Sequence, residues 1–294
     1  MAARRFTVSK LLIGIVLTAI ALTMFVPIMN LIAKSLSNPD KVHLLHGYDI
    51  LPKGFSLINY QVVLSNPIVG RALFNSLFIT TIGTCLSLFF TTITAYVLTR
   101  KNLVGKTPIM IFLIVIMIFE PGIVQEYMVV KDLHLLDSLW AMVLYRTINV
   151  YYLIIMMRFL EDIPDSLLEA GKMDGAGHMT MFWRIVMPLA RVPLLTIGMF
   201  YAIARWNEFF KSSIFLSSRE NTVLQVLLRQ FVVERDTTTL VGAVDLLKNN
   251  HIAQLDSSAL KAATIVIAMI PILMLYPIIL KYYTNGVMEG GIKE

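Results

Sequence analysis

Five ionisable residues lie inside apolar stretches that are long enough to cross a membrane: Glu120, Arg146, Arg205, Glu208 and Lys211. A charged side chain inside a membrane is costly and usually faces a cavity or a partner, so these residues could bind or guide a polar solute. The amides Asn149 and Asn207 lie in the same stretches. The candidate lining of a solute path is therefore Glu120, Arg146, Asn149, Arg205, Asn207 and Glu208.

Two interpretations of the charges around residue 208 stay open. Arg205, Glu208 and Lys211 are spaced three residues apart, so Glu208 could pair with either cation along one helix face. The result would be an internally neutralised ladder at a subunit interface. Alternatively, the cations line a passage for an acidic solute, because neither Arg146 nor Arg205 has an obvious surplus of carboxylates around it. The second interpretation would suit an anionic sugar such as an oligouronate.

A polar island, the 161–188 segment, separates two of the apolar stretches and contains Glu169-Ala170-Gly171, Gly175 and Ile185-x-Met187-Pro188. Asp174-Gly175 is a strong turn signal, because glycine accepts a positive φ. We predict a helix that ends near Met173 and a second helix over about 178–187.

The ends of these two helices carry recognisable residue types. Pro164 suits the first turn of the first helix, or Ser166 caps that helix, with Glu169 completing a capping box. Gly177 can cap the second helix weakly, and Pro188 is expected to stop it.

The 161–188 segment is unusually apolar for an exposed loop. Its large apolar residues are Leu167, Leu168, Met173, Met179, Phe182, Trp183 and Ile185. Some of them must pack on the segment's own neighbouring helices, and the rest would form a patch that another protein covers. A helical hairpin lying on lipid headgroups is the alternative that these residues alone leave open.

The composition indicates a membrane protein that crosses the bilayer several times. Of the 294 residues, 57% are hydrophobic and 15% charged, against about half and about one quarter in soluble domains. The net charge of +6 is better explained by Lys and Arg in cytoplasmic loops than by nucleic-acid binding. The single cysteine, Cys85, excludes an intrachain disulfide.

We predict an all-α polytopic membrane protein, with one transmembrane domain over 11–294 after a cytoplasmic N-terminus at 1–10. A span needs about 20 mostly apolar residues. Six candidates meet this requirement, at 11–33, 73–98, 108–130, 138–160, 189–216 and 259–283. Glu120-Pro121-Gly122 interrupts the third, and Pro271 and Pro277 are expected to kink the sixth.

The short connections set the predicted orientation. Lys and Arg are concentrated near the N-terminus, in the second-to-third connection, in the 161–188 segment and in the tail. These regions share one side after six crossings, and the positive-inside rule makes that side the cytoplasm. The 217–258 connection then lies outside. Leu224, Leu227, Leu228 and Phe231 recur there at helical spacing, which indicates an amphipathic helix that packs on its own domain or meets a soluble partner.

The spacing Glu169-Ala170-Gly171-x3-Gly175-x9-Ile185-x-Met187-Pro188 resembles the EAA loop of ABC importer permeases. From about residue 70 onward the chain is similar to carbohydrate permeases of the second maltose subunit type, and it also resembles permeases of alginate and pectin-fragment importers. The supporting stretches are 133–138, 152–156, 163–164, 206–209 and 282–286. Gly171, Met187 and Glu126 depart from that pattern, in which alanine, leucine and proline respectively are usual.

The resemblance implies an importer in a bacterial cytoplasmic membrane, with both termini of this chain in the cytoplasm. Its partners would be a second permease subunit, two ATPase subunits that carry ATP and Mg, and an extracytoplasmic solute-binding protein. The chain itself would hold no cofactor or metal and would bind no nucleic acid. The residues implied in ATPase coupling are Glu169, Ala170, Gly171, Asp174, Gly175, Ile185 and Pro188. Glu169 would pair with a basic residue of the ATPase, and Gly175 would hold the turn.

Other functions are less well supported by the residues. Gly105-Lys106-Thr107 lacks the first glycine of a P-loop, and His43-x-x-His46 is a weak metal spacing. A secondary transporter would need intramembrane carboxylates and usually repeated halves, and Glu120 is a lone candidate. An ABC importer for a non-sugar solute stays open, whereas a membrane-embedded enzyme has no visible site.

Overall fold

The computed structural model describes residues 8–101, 103–233 and 257–290, with side chains for 10–101, 103–233 and 258–277. Within these ranges the chain is helical, and Ser37 and Phe55 form an isolated β-bridge rather than a strand. The all-α prediction is confirmed. Most of the predicted cytoplasmic N-terminus at 1–10, part of the 217–258 connection and the side chains of the 282–286 stretch lie outside the described residues.

The described helices range in length from six residues to 34. In chain order they are α1 (Val8–Ser35), α2 (Ile58–Ser65), α3 (Pro67–Leu98), α4 (Lys106–Ile118), α5 (Ile123–Asp132), α6 (Leu139–Leu144), α7 (Val150–Glu161), α8 (Asp165–Met173), α9 (His178–Leu189), α10 (Arg191–Trp206), α11 (Phe210–Phe215), α12 (Leu224–Val232) and α13 (Ser257–Gly290). A short 3-10 helix, Pro39–Leu44, follows α1.

Three of the described helices, α1, α3 and α13, are long and apolar enough to cross a membrane. Two bent pairs, α4 with α5 at 116° and α9 with α10 at 80°, raise the number to five if each pair counts as one span. The predicted span at 138–160 is divided between α6 and α7. The six crossings and the single domain over 11–294 therefore stay predictions.

Several apolar stretches contain breaks in the helix. The predicted interruption at Glu120-Pro121-Gly122 is present between α4 and α5. Proline has no N–H to donate and disfavours helical backbone at the residue before it, so residues 119–122 leave the helix. The breaks at 145–149 and 207–209 carry no proline and were not predicted from the sequence.

The described residues fall into two compact units, and those in Met1–Gly70 and Leu227–Ile270 form the first. Two asparagines stabilise the connection between α1 and α2, residues 36–57. Asn30 donates to the carbonyls of His46 and Asp49, each at 2.7 Å. Buried Asn59 donates to the carbonyls of Ser35 and Ser37 at 3.0 and 2.9 Å.

The second unit takes in the described residues of Arg71–Val226 and Pro271–Glu294, and it has two apolar clusters. The larger cluster combines Tyr96 of α3, Leu153 of α7, Phe182 of α9 and Tyr201 of α10. The smaller one joins residues of α3, α6 and α11. The larger cluster extends from the 161–188 segment to α10 and so joins these two parts of the unit.

The predicted amphipathic helix of the 217–258 connection is present as α12. Leu224, Leu227 and Phe231 are buried on one side of it, whereas Arg229 is exposed. This pattern agrees with a helix that packs on its own domain.

Candidate functional site

The three helix breaks of the second unit meet at two adjoining cavities. One cavity, of about 210 Å³, is lined by Ile79, Met142, Tyr145, Arg146, Asn149, Tyr152, Tyr201, Ala204, Arg205, Glu208 and Lys211. The other, of about 300 Å³, is lined by Ile116, Met117, Glu120, Pro121, Glu126, Arg146, Ile148, Asn149, Val150 and Tyr151. Arg146 and Asn149 line both. Irregular backbone at membrane depth is tolerated where it lines a cavity, which explains why the breaks coincide here.

Arg146 occupies the break between α6 and α7 and contacts two carboxylates. Its Nη2 lies 3.1 Å from Glu120 Oε2 and 3.8 Å from Glu126 Oε1. Its φ is +49°, in the left-handed region that side-chain-bearing residues rarely adopt. The expectation that Arg146 lacks surrounding carboxylates is wrong, because Glu120, in the break between α4 and α5, and Glu126 of α5 both lie beside it.

Glu126 has three polar partners among the side chains at the cavities: Lys211, Arg146 and Tyr145. It forms an ion pair with Lys211 of α11 and accepts a hydrogen bond of 3.2 Å from the Tyr145 hydroxyl. In the sequence, Glu126 stands out only as a departure from the family pattern, and it was not among the predicted site residues. Its sequence position alone gave no signal that α11 would bring Lys211 to it.

Arg205 contacts backbone rather than a carboxylate. Its guanidinium donates to the carbonyls of Met142 and Tyr145 at 2.7 and 3.4 Å and to the Ser87 hydroxyl at 2.8 Å. These carbonyls belong to the C-terminal end of α6, where a cation is favoured. A Cβ added at Gly83 would lie 2.6 Å from Arg205 Nη1, so the guanidinium needs glycine at that position of α3.

The predicted Arg205–Glu208–Lys211 ladder does not form in the described residues. The helix ends at Trp206, so the three side chains no longer share one helix face. Glu208 instead accepts the backbone N–H of Lys211 at 2.8 Å and steadies the start of α11. Lys211 directs its ammonium group to Glu126. The internally neutralised ladder therefore does not describe this arrangement, because the break at 207–209 changes the partners.

The two asparagines differ in their relation to the cavities. Asn149 caps α7, since its Oδ1 accepts the N–H groups of Tyr151 and Tyr152 at 3.0 and 3.3 Å. Asn207 lines neither cavity and donates to the carbonyl of Ile203 at 3.0 Å. The structure therefore groups Glu120, Arg146, Asn149, Arg205 and Glu208 and leaves Asn207 outside.

Tyrosine side chains form part of the wall of the smaller cavity. The Tyr201 hydroxyl lies 2.8 Å from Thr91 Oγ1 and accepts the Asn149 N–H at 3.0 Å. The rings of Tyr152 and Tyr201 meet edge to face at 4.8 Å between centroids. Tyrosines of this kind offer both flat apolar surface and hydrogen-bonding groups.

The 161–188 segment forms the predicted helix, turn and helix. α8 ends at Met173, Gly175 has φ of +79°, and Gly177 precedes α9 as its N-cap residue. The start of α8 differs from both alternatives. Pro164 is the N-cap residue rather than a first-turn residue, and Ser166 lies inside the first turn.

The prediction that Pro188 stops the second helix is wrong. α9 continues through it to Leu189, and a π-helical turn, Phe182–Val186, precedes it. In this turn Met187 N–H bonds to the Phe182 carbonyl, five residues earlier. A wider turn relieves the clash that a proline ring makes with the preceding turn. The bend follows at Ala190, between α9 and α10.

The apolar residues of the 161–188 segment divide between packing and an exposed patch, as predicted. Leu168 and Phe182 are buried and Ile185 is half-buried. The exposed patch consists of Leu167, Met173, Met179 and Trp183, of which Met173 is 88% exposed. Glu169, Ala170, Asp174, Gly175 and Pro188 are also exposed.

Gly171 and Ile185, at two separate positions of the motif, lie in contact. A Cβ at Gly171 would lie 2.7 Å from Ile185 Cδ1. Glycine in place of the usual alanine therefore lets α8 and α9 approach more closely.

The segment is joined firmly to the rest of the second unit. Phe182 meets the ring of Tyr96 edge to face at 5.3 Å, and both belong to the cluster that includes Tyr201 at the cavity. At the surface, Lys101 Nζ lies 2.5 Å from Asp165 Oδ2. This contact lowers the pKa of Asp165 and raises the pKa of Lys101, chiefly through their hydrogen bond.

Residues 102–288 match the family described as binding-protein-dependent transport system inner membrane component. The chain belongs to this family. It is therefore a permease, a transport subunit rather than an enzyme, as the resemblance implied. Membership of this family and the apolar helices both make it a membrane protein.

Individual relatives cover nearly the whole permease. It is 35% identical over 273 residues to the polygalacturonan/rhamnogalacturonan transport system permease protein YtcP of Bacillus subtilis, covering 93% of this chain and 94% of that one. It is 36% identical to Protein LplC of the same organism, over 91% and 88% of the two chains.

A solved structure matches the permease with a TM-score of 0.87 and 28% identity, over 96% of this chain and 99% of the other. That chain belongs to a bacterial ABC transporter involved in the import of the acidic polysaccharide alginate. The resemblance drawn from the motif residues is thus confirmed at the level of the family.

Proposed function

We propose that this permease carries carbohydrates, and specifically acidic oligosaccharides such as oligouronates, through an ATP-driven importer. It would work with a second permease subunit, two ATPase subunits that hold ATP and Mg, and an extracytoplasmic solute-binding protein. The chain itself would hold no cofactor and contact no nucleic acid. Its place would be the bacterial inner membrane, with both termini in the cytoplasm.

The observation that carries this proposal is the polar cavity where three helix breaks meet. Arg146, Arg205 and Lys211 line it together with Tyr145, Tyr152 and Tyr201, and Glu208 is the one carboxylate among its lining residues. Cations and aromatic rings together suit a sugar that carries carboxylates. The relatives that transport polygalacturonan or alginate support the same substrate class.

The 161–188 segment is proposed as the contact with an ATPase subunit. Its patch of Leu167, Met173, Met179 and Trp183 is exposed, and an exposed apolar patch of this kind commonly marks a protein contact. Glu169 and Asp174 flank the patch and would meet basic residues of the ATPase. The buried contact of Phe182 with Tyr96 gives the segment the stiffness that force transmission needs.

ATP would drive transport by favouring one state of the importer. A ligand shifts a conformational equilibrium only as far as its affinities for the two states differ. Closure of the ATPase subunits would displace the 161–188 segment as one body. The packed cluster from Phe182 to Tyr201 would carry that displacement to the wall of the cavity.

Uptake into proteoliposomes tests the proposal. The permease is reconstituted with its second permease subunit, ATPase subunits and binding protein, and uptake is measured for trigalacturonate and for maltotriose. We expect trigalacturonate uptake that requires ATP and the binding protein. Uptake driven by an ion gradient without ATPase would support a secondary transporter instead. ATP-dependent uptake of maltotriose alone would remove the acidic substrate class.

A further inference from the structure

Lys211 and Arg146 are paired with carboxylates that differ in their exposure and in their number of contacts: Glu126 pairs with Lys211 and Glu120 with Arg146. The Glu126 side chain is 10% exposed and contacts Lys211, Arg146 and the Tyr145 hydroxyl. The Glu120 side chain is 65% exposed, and Arg146 is its ion-pair partner among the described residues. Removing one member of a buried, multiply bonded pair is far more costly than separating an exposed pair. Glu120 is therefore the replaceable carboxylate of the two.

We propose that Arg146 is the subsite for a substrate carboxylate, and that Glu120 occupies this subsite until substrate displaces it. The inference rests on the proposed function, because it requires an acidic solute. Glu120 is in this view an internal competitor that keeps the arginine neutralised when the path is empty. Arg146 and Glu120 would then set the specificity for carboxylate-bearing sugars.

The backbone around the two residues supports the exchange. Glu120 lies in the irregular residues 119–122 between α4 and α5, where helical hydrogen bonds do not hold it. Arg146 has a left-handed backbone, and its guanidinium lies 5.5 Å from the centre of the Tyr145 ring. It also borders both cavities. Arg146 therefore has Glu126 and Tyr145 beside it as well as Glu120, whereas Arg146 is the ion-pair partner of Glu120 among the described residues.

The charges balance for one substrate carboxylate at a time. Glu126 and Lys211 neutralise each other, and Arg205 and Glu208 contribute one charge of each sign. Arg146 and Glu120 complete the set. If Glu120 turns away, one positive charge is left at the junction of the two cavities. A single uronate carboxylate would restore neutrality, so neutral sugars gain nothing from the displacement.

Binding to the purified importer, measured by equilibrium dialysis without binding protein, tests the exchange. The ligands are trigalacturonate and its methyl ester, which has no charge. Because an exposed ion pair is weak, we expect Glu120→Gln to tighten the Kd for trigalacturonate about five-fold. Arg146→Gln should weaken it at least about ten-fold. In the double variant the gain from Glu120→Gln should vanish, because the two residues act on the same contact.

Controls separate this mechanism from other effects. Glu220→Gln removes another exposed carboxylate, which lies 3.8 Å from Arg71 and outside both cavities, and should leave the Kd unchanged. The methyl ester should bind the wild type and Glu120→Gln equally. Weaker trigalacturonate binding in Glu120→Gln, or an unchanged Kd, would overturn the inference while leaving the proposed function intact. A wild type that binds the ester and not the acid would overturn both.

Discussion

The 161–188 segment and the charged cavity belong to the same unit but are held together by different forces. The segment is stabilised by buried apolar contacts such as that of Phe182 with Tyr96, and its charged residues are exposed. In the cavity, polar side chains bond to one another or to broken backbone, as Arg205 does with Met142. The role proposed for the segment, transmitting displacement, requires close packing. The role proposed for the cavity, receiving a polar solute, requires contacts that can be exchanged.

Removing Phe182 should have the largest effect on stability. The side chain is fully buried, so Phe182→Ala should cost about 3–5 kcal/mol of unfolding free energy. Thermal unfolding of the purified permease in detergent would report it as a clear fall in Tm.

Trp183→Ala is the matched control, because Trp183 is the next aromatic residue and is 52% exposed. We expect little change in its Tm but reduced ATP-dependent uptake. Equal losses of Tm in the two variants would contradict the division between packing and docking.

Arg205 should matter for stability almost as much, although it is polar. Arg205→Met leaves the carbonyl of Met142 and the hydroxyl of Ser87 without their donor, which costs about 1–3 kcal/mol for each buried group left unpaired. Gly83→Ala should reproduce part of the loss by displacing the guanidinium. If Arg205→Met keeps the wild-type Tm and loses only substrate binding, Arg205 is a ligand rather than a stabilising contact.

The Gly175 turn tests whether shape alone supports coupling. With φ at +79°, Gly175→Val should cost about 1–3 kcal/mol, because a β-branched residue is strained there. We expect the protein to reach the membrane, ATPase activity to persist and uptake to fall sharply. Gly175→Asn should retain most uptake, since asparagine tolerates this backbone. Wild-type uptake by the valine variant would count against a coupling role.

Glu169→Lys tests the charge at the same proposed contact. The residue is exposed, so the folded permease should keep its Tm. Uptake should fall while ATP hydrolysis continues, because the lysine would repel a basic group on the ATPase. Hydrolysis and uptake that decline together would point to failed assembly instead.

The Lys101–Asp165 pair should have the smallest effect, since both side chains are exposed and such pairs contribute little. Lys101 depresses the pKa of Asp165, so any stabilisation from this carboxyl is present above its unfolded pKa and lost as pH falls through the lower folded value. Between pH 6 and 8 the pair should therefore add no pH dependence. Asp165→Asn should match the wild type in Tm across that range, and a difference would reveal a contact beyond this ion pair.

Sequence reasoning succeeded where neighbours in the chain decide the structure. The end of α8 at Met173, the positive φ of Gly175 and the exposed patch around Met179 followed from residue type and short spacing. The reasoning failed at Pro188, because a π-helical turn accommodates the proline. It also failed for the charged ladder, because an unmarked break after Trp206 turned Lys211 toward Glu126.

The sequence by itself determined the membrane class, the all-helical chain and the helix-turn-helix with its family motif, because hydropathy and turn preferences act over a few residues. Only the tertiary structure decided which charges meet. Glu126 lies 85 positions from Lys211, and Arg205 lies 63 from Met142. Pairing over such separations in the chain depends on where helices break and cross. An ion pair produces no periodic pattern in the sequence from which it could be predicted.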